Sequence, residues 1–184
     1  MKSSAAYLAS LYCEKGDLRY DGEGVTQLAH AWQCGQLAKA QGASPQLQLS
    51  AWLHDIGHLL SKKEGTPTTY GHDDRHEYVG GNYLLSVFSD EVSHPVLMHI
   101  LAKRYLVTTN SNYHQSLSAD SIRSLELQGG AMSENECSQF VSRPFAKDAL
   151  SLRTWDDCAK NPDSKMPTKA DAIAQLLNLA KECQ

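Results

Sequence analysis

Apolar residues along this chain recur at helical spacing, and the runs are punctuated by glycine, proline and serine clusters. The pattern predicts helices almost throughout. Residues 4–14 form the first, with Ala6, Leu8, Leu11 and Tyr12 inward, and Gly16 is suited to a left-handed helix end. A long helix follows over 23–41, closed by Gly42-Ala43-Ser44-Pro45. The most apolar stretch, 45–60, predicts a central buried helix around Leu49, Trp52, Leu53, Ile56, Leu59 and Leu60. Residues 62–74 hold Gly65, Pro67, Gly71 and three threonines, and read as a surface loop able to act as a lid. Further helices are expected over 75–86, from 89 to about 106 with a disturbance at Pro95, and over 118–127, 133–141, 147–158 and 168–183. Residues 108–116 read as polar loop. No sustained alternation marks a strand and no segment repeats, so the expectation is all-α: one helical domain over 1–184, its chemistry concentrated in about 18–160.

Composition narrows the setting. The apolar share of 41% and charged share of 21% are those of a soluble globular chain. No apolar run reaches the ~18–20 residues of a membrane span. The net charge of −4 predicts no nucleic-acid or membrane footprint, so an anionic substrate must meet a local cluster of cations. Five scattered cysteines without a C-x-x-C pair argue against a disulfide framework or a zinc ribbon, and a reducing cytoplasm is the expected location.

The eight histidines change the picture more. His54 and Asp55 stand side by side in the central apolar segment, and His30, His76, His99 and Asp156 each fall on a separate predicted helix. A His–Asp pair in a core can simply hydrogen-bond to itself. Six nitrogen and carboxylate donors on five segments suit Fe, Mn or Zn, and a carboxylate able to bridge makes the set large enough for two ions. Asp157 is an alternative to Asp156, and His72, one turn before His76, an alternative ligand; His72, His94 and His114 are assigned to the surface. His30 shares a helix face with Glu23, Gln27 and Cys34, either a solvated stripe or the wall of a polar site.

The pattern His30, His54-Asp55, Asp156 resembles the H…HD…D signature of the HD-domain superfamily. Its default chemistry, metal-dependent hydrolysis of a nucleotide or small phosphate ester, is the alternative reading. The segments Tyr20-Asp21-Gly22-Glu23 through Gln27-Leu28-Ala29-His30, His54-Asp55-Ile56-Gly57-His58, His76-Glu77-Tyr78-Val79-Gly80, His99 to Leu106 and Arg153-Thr154-Trp155-Asp156 resemble one branch in particular. That branch is the mixed-valent diiron oxygenases, which include myo-inositol oxygenase and the organophosphonate-cleaving dioxygenases. The resemblance implies two iron ions cycling through Fe(II)/Fe(III), with O2 as co-substrate and Asp55 as bridge. His30, His54 and Asp156 would hold one iron, and His76 and His99 the other.

It implies that His58, Lys103, Ser121 and Arg153 bind a phosphonate, that Tyr20 and Glu23 face a substrate amine, and that Tyr20, Glu23 and His58 stand at the reacting centre. The implied reaction is C–P cleavage of 2-amino-1-hydroxyethylphosphonate to glycine and phosphate, or of its N-trimethyl analogue to glycine betaine and phosphate. Taken singly these residues have plainer readings: His58 as a helix-end partner, Lys103 beside Arg104 as a solvated face, Tyr20 and Glu23 as a surface pair. Trp32, Trp52 and Trp155 read as core.

Overall fold

The computed structural model describes residues 4–20, 24–61 and 71–184. In chain order the elements are α1 (Ala5–Lys15), β1 (Arg19–Tyr20), β2 (Val25–Thr26), α2 (Gln27–Ala40), α3 (Pro45–Leu53), α4 (Ile56–Leu60), α5 (His76–Leu85), α6 (Asp90–Thr109), α7 (Tyr113–Ser116), α8 (Ala119–Leu127), α9 (Glu134–Val141), α10 (Ala146–Cys158) and α11 (Lys169–Glu182). The architecture is all-α, as expected. The sheet is two antiparallel dipeptides, with Arg19 opposite Thr26 and Tyr20 opposite Val25.

Short helices are marginal alone and take their stability from burying one face. The larger apolar cluster joins Leu8 of α1, Leu28 of α2, Leu49 and Leu53 of α3, Val96 of α6, Leu152 of α10 and Leu176 of α11. A smaller cluster, around Met98, Phe140 and Ala149, seats α9. Helix α6 packs against α3, α5 and α10, and α2 against α3 and α10. Those five helices enclose the polar residues discussed below. Among the described residues no helix is long and apolar enough to cross a membrane.

The structure corrects several boundaries. Helix α2 starts at Gln27, four residues later than expected, because Thr26 caps it by accepting the Ala29 N–H at 3.2 Å while Val25 and Thr26 pair with β1. The central helix is not continuous over 45–60. Asp55 leaves the helical region (φ −100°, ψ 10°), separating α3 from α4. Gly16 is right-handed (φ −62°), and its missing side chain admits Leu28, whose N–H donates to the Gly16 carbonyl at 2.9 Å.

Helix α6 runs through Pro95 to Thr109. Proline offers no N–H to the Glu91 carbonyl four residues back; the buried Ser50 hydroxyl lies 3.4 Å from that oxygen and 2.7 Å from the Val92 carbonyl. The polar stretch 108–116 accordingly holds the last two residues of α6 and the short α7. Most of the expected lid lies outside the described residues.

Candidate metal centre

The break at Asp55 organises the site. On an unbroken helix neighbouring side chains diverge by ~100°; the turn instead lets His54 and Asp55 both point inward. The Asp55 carboxylate then addresses two donor sets with different oxygens. Its Oδ2 lies 3.3 Å from His54 Nε2 and 3.6 Å from His30 Nε2. Asp156 Oδ1 completes that set, 3.3 Å from His30 Nε2 and 3.7 Å from His54 Nε2. The other oxygen, Oδ1, lies 3.4 Å from His76 Nε2 and 3.8 Å from His99 Nε2, and these two nitrogens are 3.3 Å apart.

These spacings suit metal ions. Donors about 2.0–2.2 Å from a four-coordinate ion stand roughly 3.3–3.6 Å from one another. Asp55 Oδ2 and Asp156 Oδ1 are buried and have no hydrogen-bond partner among the described residues, which is costly unless a cation meets them. The imidazoles are also oriented for ligation. His30 Nδ1 faces the Ala159 carbonyl at 3.0 Å, His54 Nδ1 that of Ala51 at 3.0 Å and His99 Nδ1 that of Val96 at 2.7 Å, while His76 Nδ1 meets Asp74 Oδ1 at 2.9 Å. A proton on each Nδ1 leaves the Nε2 lone pair for an ion. Cys34 Sγ comes within 3.8 Å of His30 Nε2, but burial, with Asp156 and Asp55 nearby, pushes its pKa well up and keeps it a thiol.

Charge within the cluster is uneven. Burial alone disfavours a proton on His54, yet the Asp55 and Asp156 carboxylates lift it to about 10. His99 is held well below the usual range by burial and by His76 and His54. Asp156 is opposed by burial but kept well below the carboxylate range, above all by Arg153, whose Nη1 donates to Oδ2 at 2.7 Å. The same guanidinium grips Asp157 through Nη2 and Nε, and its Nε also donates to the Tyr113 hydroxyl at 3.0 Å. Asp157 is thus a clamp on Arg153, while Asp156 faces the histidines.

A cavity of about 60 Å³ adjoins the cluster, with Asp55, His76, His99 and Asp156 in its wall. Tyr20, His58, Lys103, Ser121 and Arg153 line it too, so the structure brings these expected substrate-facing residues to one place. Tyr20 stacks on His30 with centroids 4.0 Å apart. Lys103 is almost wholly buried and donates to Ser124 Oγ at 2.9 Å; burial, then Arg153, lowers its pKa to about 7. His58 Nδ1 meets Asp74 Oδ2 at 2.7 Å, and despite burial this carboxylate raises its pKa to about 9. Glu23 lies outside the described residues.

His72 and His114 are exposed, and His94, half-buried, pairs with Asp90. Trp52 and Trp155 are core; Trp32 is half-buried and donates to Gln175. Sequence reasoning missed Asp74, taken as a loop residue, which holds both His58 and His76. It also missed Ser124 and Lys160 in the cavity wall. Only the place of Asp74 two residues before His76 hinted at the first.

Comparison with known proteins follows the same lines. No protein-family model matches the chain. It is similar to a hydroxymethylphosphonate dioxygenase of Gimesia maris, 42% identical over 161 residues, covering 87% of this chain and 80% of the relative. It is 34% identical over 161 residues to a [1-hydroxy-2-(trimethylamino)ethyl]phosphonate dioxygenase (glycine-betaine-forming) of Leisingera caerulea, covering 88% and 82%. An uncharacterised protein of Acanthamoeba polyphaga mimivirus is 35% identical over 155 residues, covering 83% and 71%. With relatives this similar over most of both chains and a buried histidine–aspartate cluster suited to metal, the chain belongs to the phosphonate dioxygenases, a family of oxygen-dependent oxidoreductases.

Proposed function

We propose that this chain is a diiron enzyme that cleaves the C–P bond of a 1-hydroxyphosphonate with O2. The observation that carries the reading is the divided carboxylate of Asp55, one oxygen turned to His30 and His54, the other to His76 and His99. Two iron ions there would supply dioxygen activation and a Lewis-acid template for the substrate's hydroxyl and phosphonate oxygens.

The chain's own residues do the rest. His30, His54 and Asp156 hold one ion and His76 and His99 the other, while Arg153 turns Asp156 by holding its far oxygen. Lys103 and the first turn of α8, which carries Ser121, offer charge and hydroxyl to the phosphonate. Arg153 reaches the same anion with N–H groups its carboxylate partners leave over. His58, steered by Asp74, lines the cavity and can hold or move a proton there, and Tyr20 forms part of the same wall.

The overall change, R–CH(OH)–PO3H2 + O2 → R–COOH + H3PO4, balances without an external reductant. The aminated candidates are 2-amino-1-hydroxyethylphosphonate, giving glycine, and its N-trimethyl analogue, giving glycine betaine; the bare one is hydroxymethylphosphonate, giving formate. The test is phosphate release from these compounds after loading with ferrous iron, in air and under anaerobic conditions. Release should require oxygen. Equal release without oxygen would point to hydrolysis and overturn the proposal.

A further inference from the structure

Arg153 is held almost entirely by its own helix. Its carboxylate partners, Asp156 and Asp157, stand three and four residues further along α10, so they fix the guanidinium only relative to that helix. One contact comes from elsewhere. The Tyr113 hydroxyl, 40 residues away in sequence, accepts from Arg153 Nε at 3.0 Å and donates to Asp157 Oδ2. That carboxylate oxygen also accepts from Nε, at 3.1 Å, so the three side chains close a ring of hydrogen bonds. Tyr113 belongs to α7, which follows α6 and packs against it, and α6 carries Lys103. The hydroxyl therefore ties the guanidinium to the segment that bears a second cation of the cavity. Tyr113 itself is half-buried and absent from the cavity wall, so it cannot touch a molecule bound there. A guanidinium has five N–H groups. Among the described residues these contacts engage the one on Nε and one on each Nη, which leaves one N–H on Nη1 and one on Nη2. Such a fork serves an oxyanion with both donors only when its plane is held.

We propose that Tyr113 is a positioning residue for anion binding. Its hydroxyl holds the Arg153 guanidinium in the plane from which the two remaining N–H groups reach a phosphonate. This rests on the phosphonate reading above. Without the hydroxyl, every partner left to the guanidinium lies on α10, and Arg153 and Asp157 can turn together about their side-chain torsions. Asp156 keeps its own contact with Nη1, so the metal donors stay in place and the loss falls on the anion.

The experiment compares wild type, Tyr113→Phe, Arg153→Lys and the double variant, all loaded with ferrous iron. Phenylalanine keeps the ring and removes only the hydroxyl; lysine keeps the charge and removes the fork. Binding of hydroxymethylphosphonate and of inorganic phosphate is measured anaerobically by calorimetry, and kcat and KM for hydroxymethylphosphonate in air. Tyr113→Phe should weaken binding of both anions by about fivefold or more and raise KM in step. Iron content, thermal midpoint and kcat should stay close to wild type, because the interaction lost is with the bound anion as a whole. In the Arg153→Lys background the same substitution should change binding by less than about twofold, since the group it acts through is gone. Unchanged binding in Tyr113→Phe overturns the proposal by itself, and so does a loss of equal size in both backgrounds, which would make Tyr113 a mere packing residue. Oxygen-dependent phosphate release by wild type alongside either result would leave the C–P cleavage reading standing. Anion binding that depends on Tyr113 only when Arg153 is present, in a protein that releases phosphate without oxygen or not at all, would uphold Tyr113 and sink that reading instead. No binding of either anion by wild type would sink both.

Discussion

The two halves of the histidine cluster share Asp55 and little else. The half built from His30, His54 and Asp156 has four candidate donors counting Asp55, and both its imidazoles are sealed from solvent and absent from the cavity wall. The half built from His76 and His99 has three counting Asp55, and both its imidazoles line the cavity. A closed donor set holds an ion in place, whereas an incomplete set beside a cavity leaves room for substrate. The difference follows from position: α2, α3 and α10 bury the first set in the core, while α5 and α6 present the second beside the cations.

Substitutions can break this contrast. The largest effect is expected for Asp55→Ala, which removes the donor both halves share; metal content and phosphate release should both fall to background. If metal analysis still finds about two ions per chain, the bridging role is wrong. Next, His30→Ala and His99→Ala should behave differently. Loss of His99 should leave about one ion in the closed set, while loss of His30, by opening that set, should cost both. Equal metal content in the two variants would dissolve the distinction.

Lys103→Met sharpens it on the open side. Losing a buried charged hydrogen-bond donor, at about 1.5–3 kcal/mol, should raise KM for a phosphonate by roughly 10- to 150-fold. The pH dependence carries a sign. Lys103 binds an anion only when protonated and its pKa is lowered to about 7, so wild-type KM should rise as pH climbs through that value. Bound phosphonate should shift the midpoint upward, and the methionine variant should lack the rise. The smallest effect is expected for Asp74→Asn, a change behind the ligands. It should weaken metal binding by about 10- to 100-fold, read by competition with a chelator, because His76 loses the carboxylate that orients it.

Much of this was legible in the sequence, because a helical period and a ligand type are both local properties. His30, His54, His76, His99 and Asp156 sit on apolar stretches whose inward faces are evident from spacing. What was not legible depends on how distant segments approach one another. Gly57, a glycine able to end or bend the helix, stands two residues past Asp55, but Ile56 and Leu59 continue the apolar pattern and do not place the break at Asp55 itself. Lys160 reaches Ser121 across 39 residues, and Ser124 finds Lys103 across 21. Arg153 was expected at the phosphonate alone; its place between Asp156 and Asp157 appears only once α10 has coiled.

One small feature has a large reach. At Gly57 a methyl group would stand 2.0 Å from the His76 carbonyl oxygen, so α4 and α5 touch there backbone to backbone. Since Asp55 precedes that contact by two residues and His76 forms it, a single hydrogen atom serves as the gauge for the gap between these two side chains. Enlarging it to alanine would push one helix off the other and retune the distance between Asp55 and His76 without changing either side chain.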